Sequence, residues 1–225
     1  MRRGPRAPMM SYFAHILACL ALAATVSGCG PKAGIFLYWT GLVQPEKVKS
    51  AFELPKKPLL ILVDDPLGLI HPPVARDALV EALAAELRDR KLADRITTNE
   101  ELAGLRQTEP NFERRGAREV GRLASADIVL WLQVARFTLP DDLEAAMAPS
   151  FFGVSVKVLD ATAESREDVC LWPKEREGRA VEVKVSPHDL QTAKDVREAH
   201  KVMARQLAAE VARLFYEHEP PEDAP

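Results

Sequence analysis

The stretch "PLLILVDDP", residues 58–66, decides the fold. From Leu59 to Val63 it is apolar at every position, with no polar alternation. A run so short and so uniform reads as a strand covered on both faces, as in the parallel sheets of α/β proteins. Asp64, Asp65 and Pro66 end it. In α/β folds ligands gather at the C-terminal ends of strands, which makes Asp64 and Asp65 candidate ligand-binding residues. Asp-Pro is also turn chemistry, and that gives the pair a purely structural reading.

Downstream, Leu79, Leu83 and Leu87 recur every four residues and predict a helix over residues 74–91, with Pro72 and Pro73 at its start. "DRITTNEEL" then predicts a short strand at 95–97 and a helix capped by Thr97 with Glu100, or by Thr98 with Glu101. A third helix, about residues 114–125, leads into "ADIVLWLQVARFTL", which predicts the longest strand at 128–138. In "FFGVSVKVLDA", Phe152, Val154, Val156 and Val158 alternate with smaller or polar residues, the mark of a strand with one buried face. Residues 169–172 and 180–185 read as two arms of a hairpin turning at Glu177 and Gly178. Ser186, Pro187 and Asp189 start a final helix, along which Val196, Ala199, Met203, Leu207, Val211 and Leu214 form an apolar stripe. The fold class is therefore α/β, or α+β. A β-α-β parallel unit comes first, an antiparallel meander follows, and helices pack on a mixed sheet.

Upstream of the domain the chain changes character. Arg2, Arg3 and Arg6 precede an apolar run, "YFAHILACLALAATV", which reads as a secretory signal. Its exit, Val26-Ser27-Gly28-Cys29, resembles the bacterial lipobox, an aliphatic residue and two small ones before the cysteine that takes lipid. Cys29 is then the first mature residue and the membrane anchor. Two or three acyl chains, each methylene contributing about 0.8 kcal/mol, make such attachment close to permanent. Gly30 stands where an aspartate would mark inner-membrane retention, which points to the periplasmic face of the outer membrane. The expected divisions are signal peptide 1–28, lipidated N-terminus and linker 29–58, α/β domain 59–217, and an acidic, proline-rich, disordered tail 218–225. Residues 35–43, "IFLYWTGLV", fit either the membrane interface or an edge strand packed on the domain.

The pattern "AREVGRLASADIVLWLQVARF" followed by "FFGVSVKVLDA" resembles an α/β domain of envelope proteins: the curli-secretion lipoprotein, the amino-terminal domain of TolB, and lipoprotein activators of penicillin-binding proteins. Gly121, Ala126 and Asp127 carry the first half of the likeness, and Val156, Val158 and Asp160 the second. The resemblance implies a lipid-anchored protein that works through envelope partners. The chain has neither the long amphipathic hairpins of a secretion pore nor a propeller.

Charge and motifs narrow the function further. The whole chain carries −3, and removal of residues 1–28, which hold three arginines and no acid, takes it to −6. Such a balance argues against nucleic acid as a partner. Cys19 leaves with the signal and Cys29 takes lipid, so Cys170 alone remains and reads as a small core residue. There is no G-x-S-x-G, Walker A, H-E-x-x-H or C-x-x-C motif, and no histidines at metal-ligand spacing. We therefore expect a non-enzymatic, cofactor-free interaction or assembly module of the cell envelope, with unidentified envelope proteins or further copies of itself as partners. A small-ligand-binding lipoprotein using Asp64 and Asp65 is the alternative, and a hydrolase with an unrecognised site is a third reading. The loop "PDDLEAAMAPSFF" supplies Leu143, Met147 and Phe151 as candidate partner contacts, because apolar residues rimmed by acids often mark such surfaces.

Overall fold

β1 (Leu59–Asp64) is buried on both faces, although it is the end strand of the sheet, with only a single bridge to Ile96 on its outer side. The computed structural model describes residues 47–140, 142, 143 and 147–220. The signal, Cys29, residues 35–43, residues 144–146 and the end of the tail lie outside them. After β1 come α1 (Val74–Asp89), α2 (Asn99–Thr108), a 3-10 turn (Phe112–Arg114) and α3 (Ala117–Leu123). Then follow β2 (Ile128–Thr138), β3 (Ser150–Asp160), β4 (Cys170–Trp172), β5 (Arg179–Val185), α4 (Pro187–Gln191) and α5 (Val196–Arg213).

β1 and β2 pair in parallel, from Leu59 opposite Ile128 to Asp64 opposite Gln133. β2 and β3 pair antiparallel, and β3 carries β4 and β5 on its other side. The mixed α/β architecture agrees with the sequence reading. One face of the sheet presents Leu59, Ile61, Leu130, Leu132, Val154 and Val156 to α1 and α5. The other presents Leu60, Leu62, Val129 and Leu159 to Leu102 of α2, Phe112, and Val120 of α3.

Three expectations change in detail. β4 and β5 are not hairpin arms. Both run antiparallel to β3, β4 against Val158 and Leu159 and β5 against residues 150–156, so they are two pieces of one strand interrupted by residues 173–178. Gly178 closes that excursion at φ +81°, where a Cβ would meet Ser155 Oγ at 2.5 Å. Ser155 Oγ donates to Glu177 O and Lys157 Nζ to Arg176 O, so the loop folds back onto β3 and the chain rejoins the same edge. Second, the strand expected at residues 95–97 is a single parallel bridge between Ile96 and Leu59. Third, the compact unit runs from Val48 to His218. Val48 bridges His218, and Leu54 is buried in the main core, so the last part of the expected linker belongs to the domain.

The helix ends follow local chemistry. Thr98 and Glu101 form the capping box of α2. Its two hydrogen bonds to Thr98 N and Arg95 lower the Glu101 pKa, the first of them more. The helix expected to run unbroken from Ser186 stops after one turn, and Asp195 caps a second helix through Glu198 N.

Two glycines test the packing. A Cβ on Gly121 would lie 2.4 Å from Val129 Cγ2 and 3.0 Å from Ala161 Cβ, so α3 approaches the sheet as closely as a glycine allows. A Cβ on Gly104, inside α2, would meet nothing within 4 Å. The same substitution should therefore act with opposite signs. Gly121→Ala should lose about 1–3 kcal/mol to overpacking. Gly104→Ala should gain about 0.5–1 kcal/mol from reduced backbone freedom. Urea denaturation of the two variants checks both signs.

Candidate functional site

Asp65 is a loop staple. Its two carboxylate oxygens accept hydrogen bonds from Leu69 N at 2.9 Å and Ile70 N at 2.8 Å. The loop leaving β1 is thereby folded back on itself, and Leu69 and His71 are carried to the rim of a cleft. Asp64 closes the β1 register opposite Gln133, and neither aspartate is among the residues that line the cleft.

The cleft measures about 690 Å³ and lies beside the ends of β1 and β2 and the start of α5. His71, Phe137, Ser150 and His200 line it. His200 is only 3% exposed. Its ring stacks on Phe137 at 5.5 Å, and its Nδ1 donates to Val196 O at 2.8 Å. That bond leaves Nε2 as the acceptor of the neutral ring. Ser150 is 1% exposed, and its Oγ has no hydrogen-bond partner among the described residues. Among those residues no cluster of three or more histidine, cysteine or acidic side chains fits a metal ion.

The three expected contact residues separate. Met147 is 96% exposed on the rim of the cleft. Leu143 is 9% exposed and packs into the main core, so its apolar surface is already covered. Phe151 is half-buried on the opposite face of the sheet, with the Arg136 guanidinium 3.6 Å above its ring.

That arrangement depends on a bulge. The pairing of β2 with β3 shifts by one between Val134 and Arg136, so Arg136 lies opposite Gly153 and Phe137 opposite Phe152. Without the shift Arg136 would pair with Phe152 and point into the core. The extra residue, Ala135, turns Phe137 inward to meet Phe152 edge-on at 5.1 Å and sends Arg136 outward. Outside, Arg136 pairs with Glu182 of β5 at 3.4 Å. Trp131, Ser155, Lys157 and Lys184 share this face. The helices α2 and α3 cover only β1, the start of β2 and the end of β3. Among the described residues no helix covers the rest of the face; residues 176 and 177 reach Ser155 and Lys157 on it, and Arg136, Phe151, Glu182 and Lys184 form a surface that no sequence motif marked.

The residues behind the family resemblance are structural. Gly121 allows α3 onto the sheet, Ala126 N donates to Gly121 O, and Asp127 N donates to Pro58 O. Asp160 ends β3 by accepting from Thr162 N, Thr162 Oγ1 and Ala163 N. Cys170 is a half-buried free thiol against Pro173 O at 3.0 Å.

No known protein-family model matches the chain, and no curated protein does. Among solved structures it is similar to a PelC dodecamer from Paraburkholderia phytofirmans, with 16% identity and a TM-score of 0.44 over 77% of this chain and 97% of that one. It is similar to the hypothetical protein CT253 from Chlamydia trachomatis, at 13% identity and 0.42, over 71% and 96% of the two chains. It is also similar to the lipoprotein GNA1162 from Neisseria meningitidis, at 14% and 0.36, over 56% and 81%.

The turn at Asp160 has a pH signature. Burial raises the carboxyl pKa, while the hydrogen bonds from Thr162 and Ala163 and the charge of Lys57 lower it further than burial lifts it. The folded pKa is thus below the ordinary value. Its stabilising contribution is complete above that value and is lost as pH falls through the folded one. The stability gap between wild type and Asp160→Asn should therefore be widest at neutral pH and narrow below about pH 4. Urea midpoints at pH 7 and pH 3 would show it; a gap that widens in acid contradicts the assignment.

Proposed function

We propose that this chain is a non-enzymatic, lipid-anchored envelope protein, held by Cys29 at the periplasmic face of the outer membrane, whose domain binds protein partners. The observation that carries the reading is the uncovered half of the second sheet face. Arg136, Phe151, Glu182 and Lys184 stand there on a sheet rather than on a loop. Arginine and aromatic residues are the side chains that most often anchor interfaces. The lipobox resemblance and the likeness of the sequence pattern to envelope α/β domains point the same way. Anchoring confines the domain to a thin layer and raises its effective concentration toward partners in that layer.

In-cell crosslinking with mass spectrometry tests the two halves separately. Cys29→Ser should move the protein out of the membrane fraction and lose its crosslinked set. Arg136→Glu should stay in the membrane and lose that set about tenfold. Membrane attachment that survives Cys29→Ser overturns the anchor, and an unchanged set in Arg136→Glu overturns the face.

For the alternative, a small-ligand-binding protein, the cleft is a candidate place besides Asp64 and Asp65, favoured by the Ser150 hydroxyl that has no partner among the described residues. Among the described residues no formally charged side chain lines that cleft. It suits a neutral, largely apolar molecule with one group to exchange hydrogen bonds with Ser150 Oγ and His200 Nε2. Native mass spectrometry of protein isolated from its own envelope should then find added mass that Ser150→Val loses; bare protein from the wild type removes this reading.

A further inference from the structure

β5 is an edge strand. Its inner side pairs with β3 from Arg179 to Val185, and among the described residues no strand pairs with its outer side. An open edge of seven residues presents a row of backbone donors and acceptors ready to pair with another strand. The ladder from Val181 to Val185 is unbroken, with no proline and no bulge to turn a partner away.

The side chains say which strand fits. Val183 and Val185 are buried on the helix-covered face, while Ala180, Glu182 and Lys184 are exposed on the open face. Consider a second copy brought alongside by a two-fold axis perpendicular to the sheet. Antiparallel pairing of β5 with itself then keeps each face continuous, which requires the axis to pass through a residue. An axis through Glu182 sets glutamate opposite glutamate, and one through Lys184 sets lysine opposite lysine. An axis through Val183 sets Glu182 opposite Lys184 of the second copy, twice by symmetry, and Val181 opposite Val185. Like charges directly opposite destabilise a pair, and opposite charges stabilise it. Charge therefore selects one register of the three.

We propose that β5 is a self-association edge. Two copies of this chain join antiparallel strands about Val183 into one continuous sheet, with Glu182 and Lys184 exchanged as cross-strand ion pairs. Arg136 of each copy, already paired to its own Glu182, then lies next to the junction, and the two open faces merge into one surface. This deepens the assembly reading above by naming one partner and its register. It rests on that reading's claim of assembly and not on the anchor.

Register-specific disulfides test it in the full chain in its membrane, in a Cys170→Ser background that removes the native thiol. Directly opposite residues have Cα atoms about 4.5–5.5 Å apart, within disulfide reach. Position 182 and its own symmetry mate, offset by two residues, lie about 8 Å apart and beyond it. Glu182→Cys and Lys184→Cys are both exposed substitutions. Expressed together under separate tags, they should give a mixed-tag dimer under mild oxidation; each expressed alone should give at least tenfold less. Equal total levels and equal protease resistance of the variants and wild type confirm folding. No dimer from co-expression overturns the proposal, as does equal dimerisation of Glu182→Cys alone, which means another register, or crosslinks only to other proteins. Those last crosslinks would leave the broader interaction reading standing, so the two fail separately.

Discussion

The burial of β1 on both faces is the constraint on which the rest depends. A strand with apolar side chains on both sides has to lie between layers that cover both of its faces. Its parallel partner β2 can be reached only by a crossover, and that crossover carries α1 to one face and α2 with α3 to the other. Pro58 O then takes the amides of Asp127 and Ile128, tying the start of β2 to the start of β1. From this point the register of β2, and through it β3, follows.

The crossover covers the two faces unequally. α1 and α5 span the first face and close it, from Leu59 across to Val185. On the second face α2 and α3 are short and stay over β1 and its neighbours. The sheet outgrows them. The half that no described helix covers carries polar residues accordingly: Arg136, Glu182 and Lys184 are exposed, and Ser155 and Lys157 bond the backbone of the 173–178 loop. The bulge at Ala135 lets one strand serve both conditions: Phe137 completes the first core, where His200 stacks on it, and Arg136 is turned to the open side. Cleft and open face are thus two products of the same irregularity.

Much of the architecture could be read along the chain because it is local. The double-faced run at Leu59, the four-residue spacing of α1, the alternation in β3 and the cap at Ser186 are properties of a few neighbouring residues. The capping box was narrowed to two choices, and the structure takes Thr98 with Glu101. The glycine and aspartates that carried the family likeness were also legible as special positions. Gly121 permits close packing, Asp127 stands immediately before β2 and Asp160 at the end of β3, so they mark the fold.

The sequence by itself determined the order of strands and helices, the faces they bury, and the lipobox-like Cys29 ahead of the domain, because periodicity and short motifs need only adjacent residues. The tertiary structure alone decided the rest. It made β4 and β5 one interrupted edge, because Gly178 and the loop's bonds to Ser155 and Lys157 return the chain to β3. It buried Leu143 and His200 beside partners far away in sequence. It gave Asp65 to the backbone of its own loop, and among the described residues it left part of a sheet face without a helix and the edge of β5 without a strand, because those depend on how far short helices reach across a wide sheet.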